Sequence, residues 1–142
     1  MKRIIGEQAV EKGGLSVAQY MQICLFDPEH GYYRTQHIFG TKGDFVTAPE
    51  ISQMFGEIIG LWLAQCWIEQ DQPKPFILLE LGPGRGTLMA DILRATAKVA
   101  GFHEAMQIVF VEASQQLRSL QKKAVPNAVS YTHLRAHETA CY

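Results

Sequence analysis

The chain lacks the features that would mark a secreted, membrane-spanning or nucleic-acid-binding protein. Its three cysteines, Cys24, Cys66 and Cys141, lie far apart and form no Cys-x-x-Cys pair. An odd count in that arrangement points to free thiols in a reducing, cytoplasmic setting. Met1-Lys-Arg-Ile-Ile5 is basic and then apolar, but Glu7, Glu11 and Lys12 follow at once, so no secretory apolar region is expected. The longest apolar stretch, Ile58 to Ile68, is broken by Gln65 and is too short to span a bilayer. No sign of charge dominates: 13 Lys and Arg stand against 14 Asp and Glu, a net charge of -1. That balance gives no electrostatic reason to expect nucleic acid as a partner. What remains is a 142-residue chain, 47% hydrophobic and 19% charged, of ordinary globular make-up and long enough for a real core.

One stretch organises the rest, Phe76-Ile-Leu-Leu-Glu-Leu-Gly-Pro-Gly-Arg-Gly-Thr87. The apolar run Phe76 to Leu79 predicts a strand buried on both faces of a parallel sheet. Gly82, Gly84 and Gly86 follow, and Thr87 to Ala100 predict a helix with Leu88, Ile92, Leu93 and Ala97 on its inner face, ending at Gly101. A strand running through glycines into a helix N-terminus brings backbone N–H groups close to a ligand. The spacing Gly-x-Gly-x-Gly is one residue short of the dinucleotide pattern. Glu80 would repel a pyrophosphate but suits a ligand bearing positive charge, such as S-adenosyl-L-methionine. The next predicted strand, Gln107 to Glu112, ends in a second acid, placed to take two ribose hydroxyls. Three functions stay open on these residues: an adenosylmethionine-dependent methyltransferase, a non-catalytic adenosylmethionine-binding assembly protein, and an NAD-dependent dehydrogenase, which the glycine spacing and Glu80 disfavour.

Around this centre the punctuation is clear. Ser16 and Gln19 form a capping box for a helix from about 16 to 26, with Cys24 in its buried stripe. Residues 29 to 47 are rich in glycine and aromatics and read as an irregular segment. Tyr32, Tyr33 and Phe45 are either walls of a substrate-facing loop or plugs over the core. Thr47 and Glu50 read as a second capping box, with Pro49 in the first turn, opening the longest helix down to about Gln70. Ile51, Met54, Phe55, Ile58, Trp62 and Cys66 mark its expected inner face against the sheet, and Gly56 and Gly60 a close approach by another element. Glu50 therefore has a capping role available, whereas Asp44 has only turn formation and is the better candidate for a functional acid. Ser114 caps a helix with Leu117 and Leu120 inward, ended by Pro126-Asn127. His133 and His137 are one helical turn apart, but no third ligand supports a metal site.

The motifs Gly31-Tyr-Tyr33, Gly43-Asp-Phe-Val-Thr-Ala-Pro-Glu-Ile-Ser-Gln-Met-Phe-Gly-Glu57, Glu80-Leu-Gly-Pro-Gly-Arg-Gly-Thr-Leu-Met-Ala-Asp91 and Val111-Glu-Ala-Ser114 with Leu117, Arg118 and Gln121 resemble the MidA family. These are class I adenosylmethionine-dependent methyltransferases whose mitochondrial members are complex I assembly factors. The resemblance implies an α/β Rossmann-like fold, truncated after the second strand, with an N-terminal helical and loop extension. Residues 1–75 would cap the cofactor site and 76–128 form the first half of the Rossmann-like domain. Residues 129–142 resemble a translated sequencing adapter and are set aside as a non-native tail. The implied activity is protein arginine methylation, with a respiratory complex I subunit as the implied protein substrate, in the bacterial cytoplasm or, for eukaryotic relatives, the mitochondrial matrix. By carry-over, Glu80, Gly82, Gly84 and Gly86 line the methionine end of the cofactor and Glu112 and Ala113 its ribose. Thr47 and Pro49 sit beside the methyl group, with Asp44 and Glu50 as catalytic acids. Family members are more than twice this length, so the chain alone is expected to be inactive.

Overall fold

A computed structural model describes residues 1–35 and 47–132, arranged as an α/β fold. The chain divides into two compact units. Among the described residues, one comprises 1–35 and the other 47–132. Among the described residues no helix is long and apolar enough to cross a membrane.

The first unit holds helices α1 (Lys2–Glu11), α2 (Val17–Phe26) and α3 (Tyr32–Thr35). The capping box at α2 forms as expected: the Gln19 N–H donates to Ser16 Oγ at 3.2 Å, and the Ser16 N–H donates to Gln19 Oε1 at 2.9 Å. In α2 the buried residue is Ile23, and Cys24 is half-buried rather than enclosed. Beyond α2, the Asp27 carboxylate accepts from the N–H groups of Glu29 and His30, shaping a turn. A Cβ on Gly31 would lie 2.5 Å from the Asp27 nitrogen, so only glycine fits there. Tyr33 then stacks on Phe26 with ring centroids 5.5 Å apart. Of the two readings of these tyrosines, the packing one describes Tyr33. Phe45 lies outside the described residues.

The second unit contains a parallel sheet of β1 (Phe76–Leu81), β2 (Met106–Val111) and β3 (Val129–Tyr131), in that spatial order. The third strand falls in the segment set aside as a tail, so the sheet does not stop at the second strand. Val129-Ser-Tyr131 pairs with Val109 to Val111 because β2 offers a free row of N–H and C=O groups and the added residues are β-branched and aromatic. Helices α4 (Ala48–Ile51), α5 (Gln53–Glu69), α6 (Thr87–Thr96), α7 (Phe102–Ala105) and α8 (Gln115–Ala124) complete the unit.

Two expectations about faces are reversed. Only one face of β1 is covered: Ile77, Leu79 and Leu81 are exposed while Phe76, Leu78 and Glu80 are half-buried. In α5, Met54, Phe55, Ile58 and Trp62 point outward, and the buried stripe is Gly56, Gly60, Ala64 and Trp67. The small residues win because α5 packs chiefly on α6, and at very close range. A Cβ on Gly60 would lie 2.9 Å from the Ile92 Cα, and one on Gly56 would lie 2.6 Å from the Asp91 Cβ.

The inner stripe of α6 is Met89, Ile92 and Thr96, flanked by Leu88 and Leu93, while Ala97 is exposed. That helix stops at Thr96, short of the expected end, and the left-handed Gly101 (φ +79°) starts α7 instead. The core has two parts. Met89, Ile92, Ile108, Phe110 and Val125 lie between sheet and helices, and Trp67, Phe102 and Phe76 form an aromatic cluster beside them.

Candidate functional site

The glycine segment leaves β1 at Leu81 and reaches α6 at Thr87. Gly82, Gly84 and Gly86 all adopt left-handed backbone, with φ of +63°, +55° and +83°. A residue with a Cβ is disfavoured there by about 1–2 kcal/mol each, which accounts for the run of three. The Gly82 N–H donates to the Val111 carbonyl at 2.9 Å, tying the start of the loop to the end of β2. The Gly86 N–H closes a tight turn on the Pro83 carbonyl at 2.8 Å. At Gly82 an added Cβ would meet nothing within 4 Å, so this part of the loop stands open to an incoming molecule.

Beside the loop is a cleft of about 180 Å³. It brings together six of the residues singled out in the sequence, Thr47, Pro49, Glu50, Glu80, Gly82 and Gly84, with Arg85 and Thr87 between them. Glu80 sits one residue before the end of β1, opposite Phe110 of β2. Its Oε2 atom is buried and has no hydrogen-bond partner. Burial pushes the carboxyl up to about 7, because no positive group stands near enough to offset the lost hydration. An unmet, desolvated carboxylate in a cleft is a demand for a cation.

Glu50 does not cap. The Thr47 side chain makes no cap bond, and the turn is closed by backbone, with the Glu50 N–H on the Thr47 carbonyl at 2.8 Å. The helix breaks at Ser52, whose extended backbone (φ -146°) separates α4 from α5. Freed from the cap, the Glu50 carboxylate reaches across to the glycine loop. Thr87 Oγ1 donates to Glu50 Oε1 at 2.7 Å, and Arg85 Nη1 approaches Oε2 at 3.5 Å. A charge-assisted bond to a fixed hydroxyl outweighs a cap that the backbone already satisfies.

Glu112 follows β2, is buried, and has one hydrogen-bond donor on each carboxylate oxygen. The Ser114 N–H donates to its Oε1 at 2.8 Å, and Gln121 Nε2 donates to its Oε2 at 3.3 Å. Each oxygen keeps a free lone pair for a further donor. Ala113 is half-buried in the bend between Glu112 and Ser114, which caps α8 through the Leu117 N–H at 3.4 Å. Glu112 and Ala113 do not line the cleft beside Glu80. Gly86 also lies outside that lining, and Asp44 lies outside the described residues.

Gln121 enters the sequence reading only as part of the family motif, with no role assigned to it. Leu120, expected inward, is 42% exposed, while Gln121 is 1% exposed and joins the loop to Glu112. The signal was its spacing: Gln121 is four residues after Leu117 and four before Val125, on the stripe that faces the core.

Among the described residues no group of three or more His, Cys, Asp or Glu is placed to hold a metal ion. His133 and His137 lie outside those residues.

A family model described as "Putative S-adenosyl-L-methionine-dependent methyltransferase" matches residues 58–139, more than half of the chain. The chain belongs to the MidA methyltransferase family. Its curated relatives include protein arginine methyltransferase NDUFAF7, mitochondrial, from Mus musculus. That protein is 48% identical over 111 residues, which are 77% of this chain and 26% of the relative. The Drosophila melanogaster homologue is 43% identical over 128 residues, 90% of this chain and 28% of its own length. The chain therefore spans about a quarter of these MidA relatives. Among solved structures, a protein from Burkholderia thailandensis bound to S-adenosyl-homocysteine superposes with a TM-score of 0.75 at 27% identity. That match covers 94% of this chain and 37% of the neighbour.

Proposed function

We propose that this chain carries the adenosylmethionine-binding segment of a protein arginine methyltransferase, acting with the further residues that its longer relatives possess. One observation carries the reading: the unpartnered, desolvated carboxylate of Glu80 at the mouth of an open, left-handed glycine loop. A dinucleotide pyrophosphate would meet that carboxylate with repulsion, whereas a cationic amino-acid end would satisfy it. Family membership and the S-adenosyl-homocysteine held by the Burkholderia neighbour support the same ligand.

The bound cofactor would supply an electrophilic sulfonium methyl group. Glu80 and the glycine loop would hold its methionine end, and Glu112 and Ala113 its ribose. Glu50 would then serve the acceptor. Arginine is protonated at neutral pH, and a carboxylate pairing with two of its nitrogens leaves the third more nucleophilic. Glu50 carries this role in the reading because its carboxylate is held at the loop by Thr87 rather than spent on a helix cap. Asp44 is assigned as a second acid on its place in the family's signature segment alone. The rest of the rate enhancement is orientation of the two reactants. The acceptor would be an arginine of a protein, as the names of the MidA relatives suggest, and the family resemblance makes a respiratory complex I subunit the first to try.

Titration calorimetry tests the ligand: the 142-residue chain binds adenosylmethionine and S-adenosyl-homocysteine but not NAD. Binding of NAD in preference would refute it. Transfer of labelled methyl to arginine by the longer protein separates an enzyme from a non-catalytic assembly protein, which would bind without transferring.

A further inference from the structure

Gln121 is a polar residue where an apolar one would pack. It is 1% exposed, and its side chain crosses from α8 to the glycine loop. Nε2 donates to the Gly84 carbonyl at 2.7 Å and to Glu112 Oε2 at 3.3 Å, which uses both amide hydrogens. Both neighbours are acceptors, so the amide can present only its nitrogen to them, and the assignment of Nε2 follows from chemistry. The opposite atom, Oε1, is buried with no partner.

That orphaned oxygen is informative. Leaving a buried acceptor unmet costs about 1–3 kcal/mol, which partly offsets what the two donated bonds contribute. What the amide provides is a rigid link between two parts of the binding site that are distant in sequence. Gly84 belongs to the turn that would meet the methionine end, and Glu112 is the acid that would meet the ribose. Gly86 also faces α8: a Cβ there would make ordinary contact with the Gln121 Cα at 3.6 Å and Cγ at 3.7 Å.

We propose that Gln121 is the positioning residue of this site, its amide locking the glycine loop and the Glu112 carboxylate into one unit oriented for a ribose-bearing nucleoside. The inference rests on the adenosylmethionine reading above. By holding Oε2 from inside, Gln121 leaves the outer lone pairs of Glu112 directed at two vicinal hydroxyls.

The test compares the 142-residue chain with its Q121M and Q121E variants, both close in shape and both without the amide donors. Affinities for S-adenosyl-homocysteine and for its 2′-deoxy analogue are measured by calorimetry, beside thermal melts. Methionine removes the orphaned Oε1 but leaves the Gly84 carbonyl and Glu112 Oε2 without their donor, so Q121M melts a few degrees below the parent while still unfolding cooperatively. It nevertheless loses about tenfold in affinity for S-adenosyl-homocysteine, the worth of one hydrogen bond to a charged group. It loses much less for the 2′-deoxy analogue, so discrimination between the two collapses. Q121E loses more, because it sets a second carboxylate against Glu112. Equal binding of S-adenosyl-homocysteine by parent and Q121M overturns the proposal and leaves the adenosylmethionine reading standing. Equal losses for both ligands also overturn it, since a purely structural role predicts that. If one variant fails to melt cooperatively the other carries the comparison; if both fail, Gln121 is a residue of the fold and the proposal falls. A parent chain that binds neither ligand overturns the cofactor reading and this inference together.

Discussion

Cofactor affinity should fall steeply on acidification, through Glu80. In the free chain its carboxyl titrates near 7, raised from 4.5 by burial alone. A cationic ligand binds the ionised form, so the apparent association constant follows the ionised fraction, 1/(1 + 10^(pKa − pH)). With a pKa of about 7 that fraction is about 0.9 at pH 8, about 0.5 at pH 7 and about 0.1 at pH 6. Affinity therefore drops about tenfold from pH 8 to pH 6, and binding at pH 6 releases close to one proton. Calorimetry in two buffers of different ionisation enthalpy reads both quantities. The stability of the free chain moves with the opposite dependence. A carboxyl whose folded pKa is raised binds more protons folded than unfolded, so the fold loses stability as pH rises from about 4.5 to about 7. The full shift would be worth about 3 kcal/mol, and screening at a half-buried side chain reduces it to about 1–2 kcal/mol. Glu80→Gln removes both effects: it flattens the affinity profile, binds more weakly at pH 8, and melts higher than the parent there. Affinity that is level from pH 6 to pH 8, with no buffer-dependent heat, would refute the reasoning.

Three further outcomes follow from the same geometry. Gly60→Val places carbon against the Ile92 backbone, where glycine leaves a gap too small for a Cβ. The α5–α6 contact should open at a cost of about 2–3 kcal/mol, seen as a clear fall in melting temperature; an unchanged melt would mean the helices are not so close. Glu50→Gln keeps an acceptor for Thr87 but loses the charge facing Arg85. Stability should change by less than about 1 kcal/mol, whereas methyl transfer by the longer protein should fall about a hundredfold; retained activity would exclude Glu50 from the chemistry. The outward row Met54, Phe55, Ile58 and Trp62 makes the chain self-associate when expressed alone. Replacing Ile58 and Trp62 with glutamine should lower the apparent mass in ultracentrifugation without lowering the melting temperature.

The strand–loop–helix unit and its two acids were legible because each is a local pattern. A short apolar run, three glycines needing left-handed backbone, and a cap at Ser114 all depend on neighbours within a few positions. Periodicity failed at α5, where an apolar stripe and a small-residue stripe share one helix. Gly56 and Gly60 did mark the close approach of another element, but hydrophobicity favoured Ile58 and Trp62 as the inner face, and nothing in α5 says that the close approach, by α6, decides which face is buried. Glu50 failed in the same way. Its local pattern was a capping box, and the competing partners, Thr87 and Arg85, come 37 and 35 residues later. The fate of a long polar side chain is set by whichever partner tertiary structure delivers. Gln121, linked to Gly84 across 37 residues, is the third case.

On the proposed reading, the difference in hydrogen bonding between the two acids fixes which way round a ligand enters. Glu112 already accepts two N–H bonds, so its remaining capacity suits neutral hydroxyls, which add bonds without neutralising charge. Glu80 has a buried oxygen with no bond at all, and a neutral hydroxyl there would leave a desolvated charge uncompensated. A nucleoside bound in reverse would put its cation where the protein already supplies donors and its ribose where charge is unmet, and would lose at both ends. Selection for orientation is thus built from unequal satisfaction of two identical side chains. It also requires Gln121 to stay buried, because a Glu112 released from it would begin to resemble Glu80.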